Sequence, residues 1–156
     1  MTLVFSNILV PHDGTEISDT ALTQAYQIAK VFGSNLTLLF VIEDRSVLLD
    51  QLNPFVKEET QIERKENQMV NILRKGAEAM LKDKIVKAKI TDIKVSTGVA
   101  VDSSASRRIL EFAKEKKVDI IIMGARKLEG FERLKALGSV ARKVSERAKC
   151  PVMLIH

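Results

Sequence analysis

Asn7-Ile8-Leu9-Val10-Pro11, followed at once by His12-Asp13-Gly14, decides how the rest of the chain is read. A short apolar run stopped by proline and then by turn-forming residues is the pattern of a buried strand. Ile17, Ala21, Leu22, Ala25, Ile28, Ala29 and Phe32 then recur at helical spacing, with Thr15 or Ser18 placed to cap the start and Gly33 to end it. Leu36 to Ile42 reads Leu-Thr-Leu-Leu-Phe-Val-Ile, apolar at nearly every position, as a strand covered on both faces of a parallel sheet must be. The three segments make one strand, helix, strand unit.

Working outward, Glu43 to Gln51 is polar and irregular, and Pro54 suits the first turn of a long helix running to about Lys84. Ile93 and Val95 alternate with Lys94 and Ser96, which predicts a half-exposed edge strand ending at Thr97-Gly98. Asp102 to Ser104 can cap a further helix with the stripe Ala105, Ile109, Phe112 and Ala113. Val118 to Met123 is a second strongly buried strand, and a long connection from Gly124 to Leu137 follows. A short helix starts at Gly138-Ser139, and Pro151 to Ile155 supplies a last strand. The string βαβαβαβαβ predicts an α/β protein, one domain over residues 1–156, with a mostly parallel, doubly wound sheet and helices on both faces.

Composition narrows the function. With 156 residues, 46% hydrophobic and 29% charged, the chain can bury a real core. Its apolar runs fall far short of the roughly 20 residues that cross a bilayer, and no apolar leader follows Met1, so a soluble cytoplasmic protein with no membrane partner is expected. The lone Cys150 excludes an intramolecular disulfide and a cysteine-rich zinc site, and it reads as a small buried hydrophobe. The net charge of +5 favours anionic partners. Lysines in Lys82 to Lys89 and Lys114 to Lys117 read as solvated helix ends or loops.

In such a sheet, ligands sit beyond the carboxyl ends of the strands where the winding reverses. That singles out the loops Pro11 to Gly14, Val41 to Asp44, Gly98 to Asp102 and Gly124 to Ser139. The last carries glycines at 124, 130 and 138, the third standing before Ser139 at a helix start, where unpartnered amides and the helix dipole favour an anion. Arg126, Lys127, Arg133 and Lys135 add positive charge to the same loop. The plainer reading is that these glycines only permit turns. No Gly-Lys-Ser/Thr follows Gly130 and no GxGxxG follows the first strand, so neither a P-loop nor a dinucleotide fingerprint is present.

Asn7-Ile-Leu-Val-Pro-His-Asp13-Gly14, Asp119-Ile-Ile-Ile-Met-Gly124, Gly130-Phe-x-Arg-Leu, Gly138-Ser139-Val140 and Cys150-Pro151-Val152 together resemble the universal stress protein family over nearly the whole chain. The resemblance implies an adenine nucleotide alpha hydrolase-like sheet of five strands in the order 3-2-1-4-5. It also implies a homodimer through the last strand, Val152, Met153, Leu154 and Ile155, and, in one branch, ATP or another adenine nucleotide, with or without magnesium. Carried over, Pro11 and Asp13 would border the adenosine, Val41 would meet adenine through its backbone, and Met123 and Gly124 would line the ribose and phosphate side. Gly130, Gly138, Ser139 and Val140 would cradle phosphates, with Arg126 and Lys127 beside them. Two departures from the family's Gly-x2-Gly-x9-Gly-Ser/Thr pattern are plain: Lys127 stands in place of the second glycine, and one extra residue precedes Gly138.

Asp13 can alternatively cap the helix that follows it. His12 is its neighbour, but successive strand residues face opposite ways, so it need not share the site. No metal centre is expected. GxSxG, HExxH and a Ser-His-Asp arrangement are all missing, and Pro-His-Asp-Gly-Thr stands where related ATP pyrophosphatases resemble one another in a Ser-Gly-Gly-x-Asp-Ser loop. The expectation is a nucleotide-binding stress-response or regulatory protein with an unidentified protein partner, not an enzyme, any ATP hydrolysis being slow and incidental. The alternatives are a nucleotide-free dimeric interaction module of the same family and, from another class, a nucleic-acid binder using Arg142, Lys143, Arg147 and Lys149.

Overall fold

The computed structural model describes residues 4–46, 61–126 and 138–156. Strands β1 (Asn7–Pro11), β2 (Asn35–Glu43), β3 (Val95–Asp102), β4 (Ile120–Gly124) and β5 (Val152–Ile155) alternate with helices α1 (Glu16–Phe32), α2 (Gln61–Lys87), α3 (Ala105–Glu115) and α4 (Ser139–Arg147). All strands pair in parallel, in the order β3-β2-β1-β4-β5. The protein is therefore an α/β fold with the strand order the family resemblance implied.

Alternation along the strands divides the core in two. Ile8, Val10, Leu36, Leu38, Ile120 and Ile122 pack against Ala21, Leu22, Ala25 and Ala29 of α1 and Leu81 of α2. Leu9, Leu39, Ile121 and Met123 point the other way, against Ile109 and Ala113 of α3 and Ala141 and Val144 of α4. Continuous apolar runs are thus the signature of strands covered on both faces. Thr15 caps α1, its hydroxyl accepting from the Ser18 amide, and Gly33 ends that helix in the left-handed conformation at φ 66°.

Several boundaries differ from expectation. Val41 to Glu43, named within the Val41 to Asp44 loop, is the end of β2, and the last strand starts at Val152 rather than Pro151. β3 does not stop at Gly98. It runs to Asp102 in register with β2, from Leu39 opposite Gly98 to Glu43 opposite Asp102, because pairing with a long neighbour outweighs the local weakness of glycine. The stretch from Gly98 to Asp102 is consequently strand and not loop. β4 begins at Ile120, two residues later than the apolar run suggests, because Asp119 turns its carboxylate back to accept the Ser6 and Asn7 amides at 2.8 Å each. The long helix continues to Lys87, whereas its expected start near Pro54 lies outside the described residues.

His12 ties β1 to the helices on the first face. Buried at 2% exposure, its Nδ1 accepts from the Gly14 amide at 3.0 Å, which leaves Nε2 to donate to Asp19 Oδ1, also at 3.0 Å. Lys84 of α2 donates to the other Asp19 oxygen at 2.8 Å. Burial is the largest influence on the imidazole and pushes its pKa down, outweighing the opposing pull of Asp19.

Two measurements follow from these contacts. Asp119→Ala leaves two backbone amides at the start of β1 without their acceptor, and should cost on the order of 1–3 kcal/mol in urea unfolding. A histidine whose folded pKa lies below its unfolded value, about 6.5, stabilises fully above that pH and loses its contribution as pH falls through the folded value. The melting temperature should therefore fall as pH drops below about 6.5. In His12→Gln that part of the pH dependence should be absent; an unchanged profile would refute the assignment.

Candidate functional site

β1 pairs with β2 only as far as Pro11 opposite Leu39, and the last bond between them runs from the His12 amide to the Leu39 carbonyl at 2.9 Å. β2 continues to Glu43. Peptide groups on a strand alternate in direction every residue, so Val41 presents its N–H and C=O to the same side as Leu39, where β1 no longer accompanies it. On the other flank of β1, β4 ends at Gly124. The chain leaves β1 and β4 toward opposite faces of the sheet, and a cavity of about 350 Å³ opens beyond them.

Nine of the eleven residues singled out from the sequence line that cavity: Pro11, Asp13, Val41, Met123, Gly124, Arg126, Gly138, Ser139 and Val140. Lys127 and Gly130, with Arg133 and Lys135, lie outside the described residues. Leu39, Phe40, Ile109, Ala105 and Ala141 add a largely apolar wall, and Ser18, read from the sequence as a candidate cap, and His12, which strand alternation sets apart from the site, also border it. The strand alternation that directs the His12 ring toward α1 and α2 was legible; its adjacency to the cavity depended on how sharply the chain turns at Gly14, where φ is 86°.

At this end of the sheet the first turns of α1, α3 and α4 are described, and they differ. In α1, Asp13 Oδ1 accepts from the Thr15 amide at 3.1 Å and from the Ser18 hydroxyl at 2.7 Å, and Thr15 takes the Ser18 amide. In α3, Ser104 accepts from the Arg107 amide, Asp102 from the Ser104 amide, and Glu43 from the Ala105 amide. In α4 the cap is Gly138, which has no side chain to offer. The first intrahelical bond there runs from the Arg142 amide to the Gly138 carbonyl, so the amides of Ser139, Val140 and Ala141 precede the helical ladder. Those three residues line the cavity.

Asp13 therefore holds the turn before α1, while the cap of that helix is Thr15 and not Asp13. Burial would push its carboxyl up, yet the hydroxyls of Thr15 and Ser18 and the Thr15 amide together hold it below the usual carboxylate value. It is an anion with one oxygen committed to the loop. Among the described residues no cluster of three or more histidine, cysteine or carboxylate side chains is arranged to hold a metal ion.

Gly124 has a packing reason that its place in a glycine-rich loop did not reveal. A Cβ there would fall 2.9 Å from Ile17 Cγ2 and 3.0 Å from the Ile17 carbonyl carbon. The end of β4 thus lies directly against the first turn of α1. Gly138 has open space around it, nothing lying within 4 Å of a Cβ built there.

The arrangement as a whole has known counterparts. The universal stress protein family model matches residues 5–156. The chain is 30% identical over 152 residues to universal stress protein MJ0531 of Methanocaldococcus jannaschii, covering 97% of this chain and 82% of that protein. It is 30% identical over 153 residues to universal stress protein YxiE of Bacillus subtilis, covering 98% and 100%. Among solved structures, UspA from Lactobacillus plantarum superposes with a TM-score of 0.75 at 24% identity, over 97% of this chain and 98% of the other. With the matched region running from the residues before β1 to the end of β5, the chain belongs to the universal stress protein family.

Proposed function

We propose that this protein binds an adenine nucleotide in the cavity beyond β1 and β4, as a regulatory binding protein and not as an enzyme. The observation that carries this reading is the pairing, in one cavity, of an unaccompanied peptide edge at Val41 with an uncapped helix start at Gly138. A purine needs an apolar slot and a donor and acceptor at its edge. Leu39 and Ile109 offer the slot, and the Val41 N–H and C=O offer the edge. A phosphate needs convergent amides and positive charge. The first turn of α4, the Ser139 hydroxyl and the Arg126 guanidinium offer those, with Lys127 and Gly130 as further contributors from the same connection.

The anionic Asp13 carboxylate suits ribose hydroxyls, which donate, better than phosphate, which it would repel; this orients the sugar toward β1 and the phosphates toward α4. ATP, alone or with magnesium, is the ligand in this reading, and AMP or ADP would use the same contacts. Two structures of the same fold hold related ligands, a universal stress protein in complex with cAMP and one from Archaeoglobus fulgidus in complex with dAMP. At 21% and 18% identity they speak to the fold, so the reading rests on the cavity itself. A nucleotide held against α4 would change the surface at this end of the sheet, and that surface would be what a protein partner in the cytoplasm reads.

Calorimetry with ATP and magnesium, ADP and AMP tests this directly. Saturable binding is expected, weakened about tenfold by Arg126→Ala, which removes one charge-assisted phosphate contact. Absence of heat with all three, together with no nucleotide released from the purified protein, would overturn the reading in favour of a nucleotide-free interaction module.

The sheet edges support a dimer through β5. On the opposite edge, Arg74 of α2 donates to the Val99 carbonyl of β3 at 2.8 Å, taking up one acceptor of that edge. β5 ends the order at the other side and carries Met153, 38% exposed, beside the partly buried Val152, Leu154 and Ile155. An open apolar edge strand invites pairing with a second copy. Light scattering at micromolar concentration should give twice the monomer mass, and Met153→Lys should shift it to monomer; a wild-type monomer would remove the proposal.

A further inference from the structure

At the end of the sheet opposite the nucleotide cavity, a second cavity of about 380 Å³ lies where α3 and α4 finish and β4 and β5 are about to begin. Its wall is mostly apolar, formed by Leu110, Ala113, Val118, Ala148 and Cys150. Its rim carries four cations: Lys114, Lys117, Arg147 and Lys149.

None of these four has a carboxylate partner among the described residues, whereas other basic side chains do: Arg108 on the same helix as Lys114 pairs with Glu115 at 3.0 Å, and on the far face of the sheet Lys87 pairs with Asp83 at 2.7 Å and Lys84 with Asp19 at 2.8 Å. The one acid on the rim, Glu111, already faces Arg108 at 3.6 Å. Helix ends account for part of the charge. Lys114 and Arg147 stand in the last turns of α3 and α4, where each helix end presents about half a negative charge. Even after Glu111, the Asp119 carboxylate whose charge reaches Cys150, and both helix ends are set against them, four cations leave a positive surplus of about one charge.

An apolar wall under a cationic rim matches one chemistry. We propose that this cavity binds a medium-chain carboxylate, the acyl chain lying against Leu110, Val118 and Ala148 and the carboxylate meeting the ammonium groups of Lys114 and Lys149. Aliphatic lysine stems extend the apolar wall while their charged ends remain in water, the usual division along these side chains. A bare inorganic anion would leave that wall wet, and a cationic or neutral amphiphile would leave the rim unanswered. Cys150 is half-buried in the wall, its pKa pushed up by burial, and alkylation of its thiolate at alkaline pH reports on occupancy.

Sodium decanoate, decyltrimethylammonium, decanol and inorganic phosphate, titrated into the full chain by calorimetry, separate these possibilities. Decanoate should saturate at one equivalent, decanol should bind about tenfold more weakly, the cation should give no saturable signal, and phosphate should not displace decanoate. Decanoate should also slow iodoacetamide labelling of Cys150. The exposed double variant Lys114→Gln, Lys149→Gln, checked for an unchanged urea midpoint, should lose about tenfold in decanoate affinity, and the wild-type affinity should weaken with added salt. Equal binding of the cation, unchanged labelling of Cys150, an unaffected double variant, or displacement of decanoate by AMP would each overturn the proposal.

Discussion

The contact on which the molecule depends is the meeting of Gly124 with Ile17. The end of β4 and the first turn of α1 approach until a single methyl group would collide with backbone, and this closeness sets where α1 begins relative to the sheet. From there α1 lays Ala21, Leu22, Ala25 and Ala29 over Ile8, Val10 and Ile122, small residues that let helix and sheet pack tightly. A larger residue at position 124 would lift the helix start and with it the Asp13 turn that borders the cavity.

A parallel sheet aligns all its helix starts at one end and all its helix finishes at the other, so the two ends of this protein have opposite electrostatic character before any side chain is considered. At the first end, α1 and α3 satisfy their leading amides with Thr15, Asp13, Ser104, Asp102 and Glu43, and α4 alone begins at a glycine. Among these three helix starts, the leading amides of α4 are the ones that no side chain of its own cap residue takes up. At the second end, the helix finishes attract Lys114 and Arg147, and the further cations Lys117 and Lys149 exceed what the helices need.

His12 and Asp13 illustrate how adjacent residues in one loop acquire different duties. The strand alternation sends the imidazole between α1 and α2, where it is buried and neutral, and leaves the carboxylate exposed at the rim of the cavity. Both also serve the turn itself, the ring by accepting from Gly14 and the carboxylate by accepting from Thr15 and Ser18. The turn is thus held from both sides, by the buried ring from within and by the carboxylate at the cavity rim.

Much of the fold was legible because its signals are local. A run such as Ile120 to Met123 has to be buried on both faces whatever surrounds it, a threonine or serine before an apolar periodicity caps a helix, and Gly33 ends one by adopting a left-handed backbone. The loops that gather at the cavity could be named for the same reason, since a βαβ string leaves its strand ends on one side. Tertiary structure alone decided the continuation of β3 through Gly98, because the stabilising hydrogen bonds come from β2, more than fifty residues earlier. It alone decided that Gly124 answers to Ile17 as well as to a loop, that Asp119 reaches back to Ser6 and Asn7, and that Val41 faces a space β1 has left. Periodicity and caps are written within one turn or one strand; close approach, strand length and the neutrality of a buried histidine depend on neighbours that only the folded chain brings together.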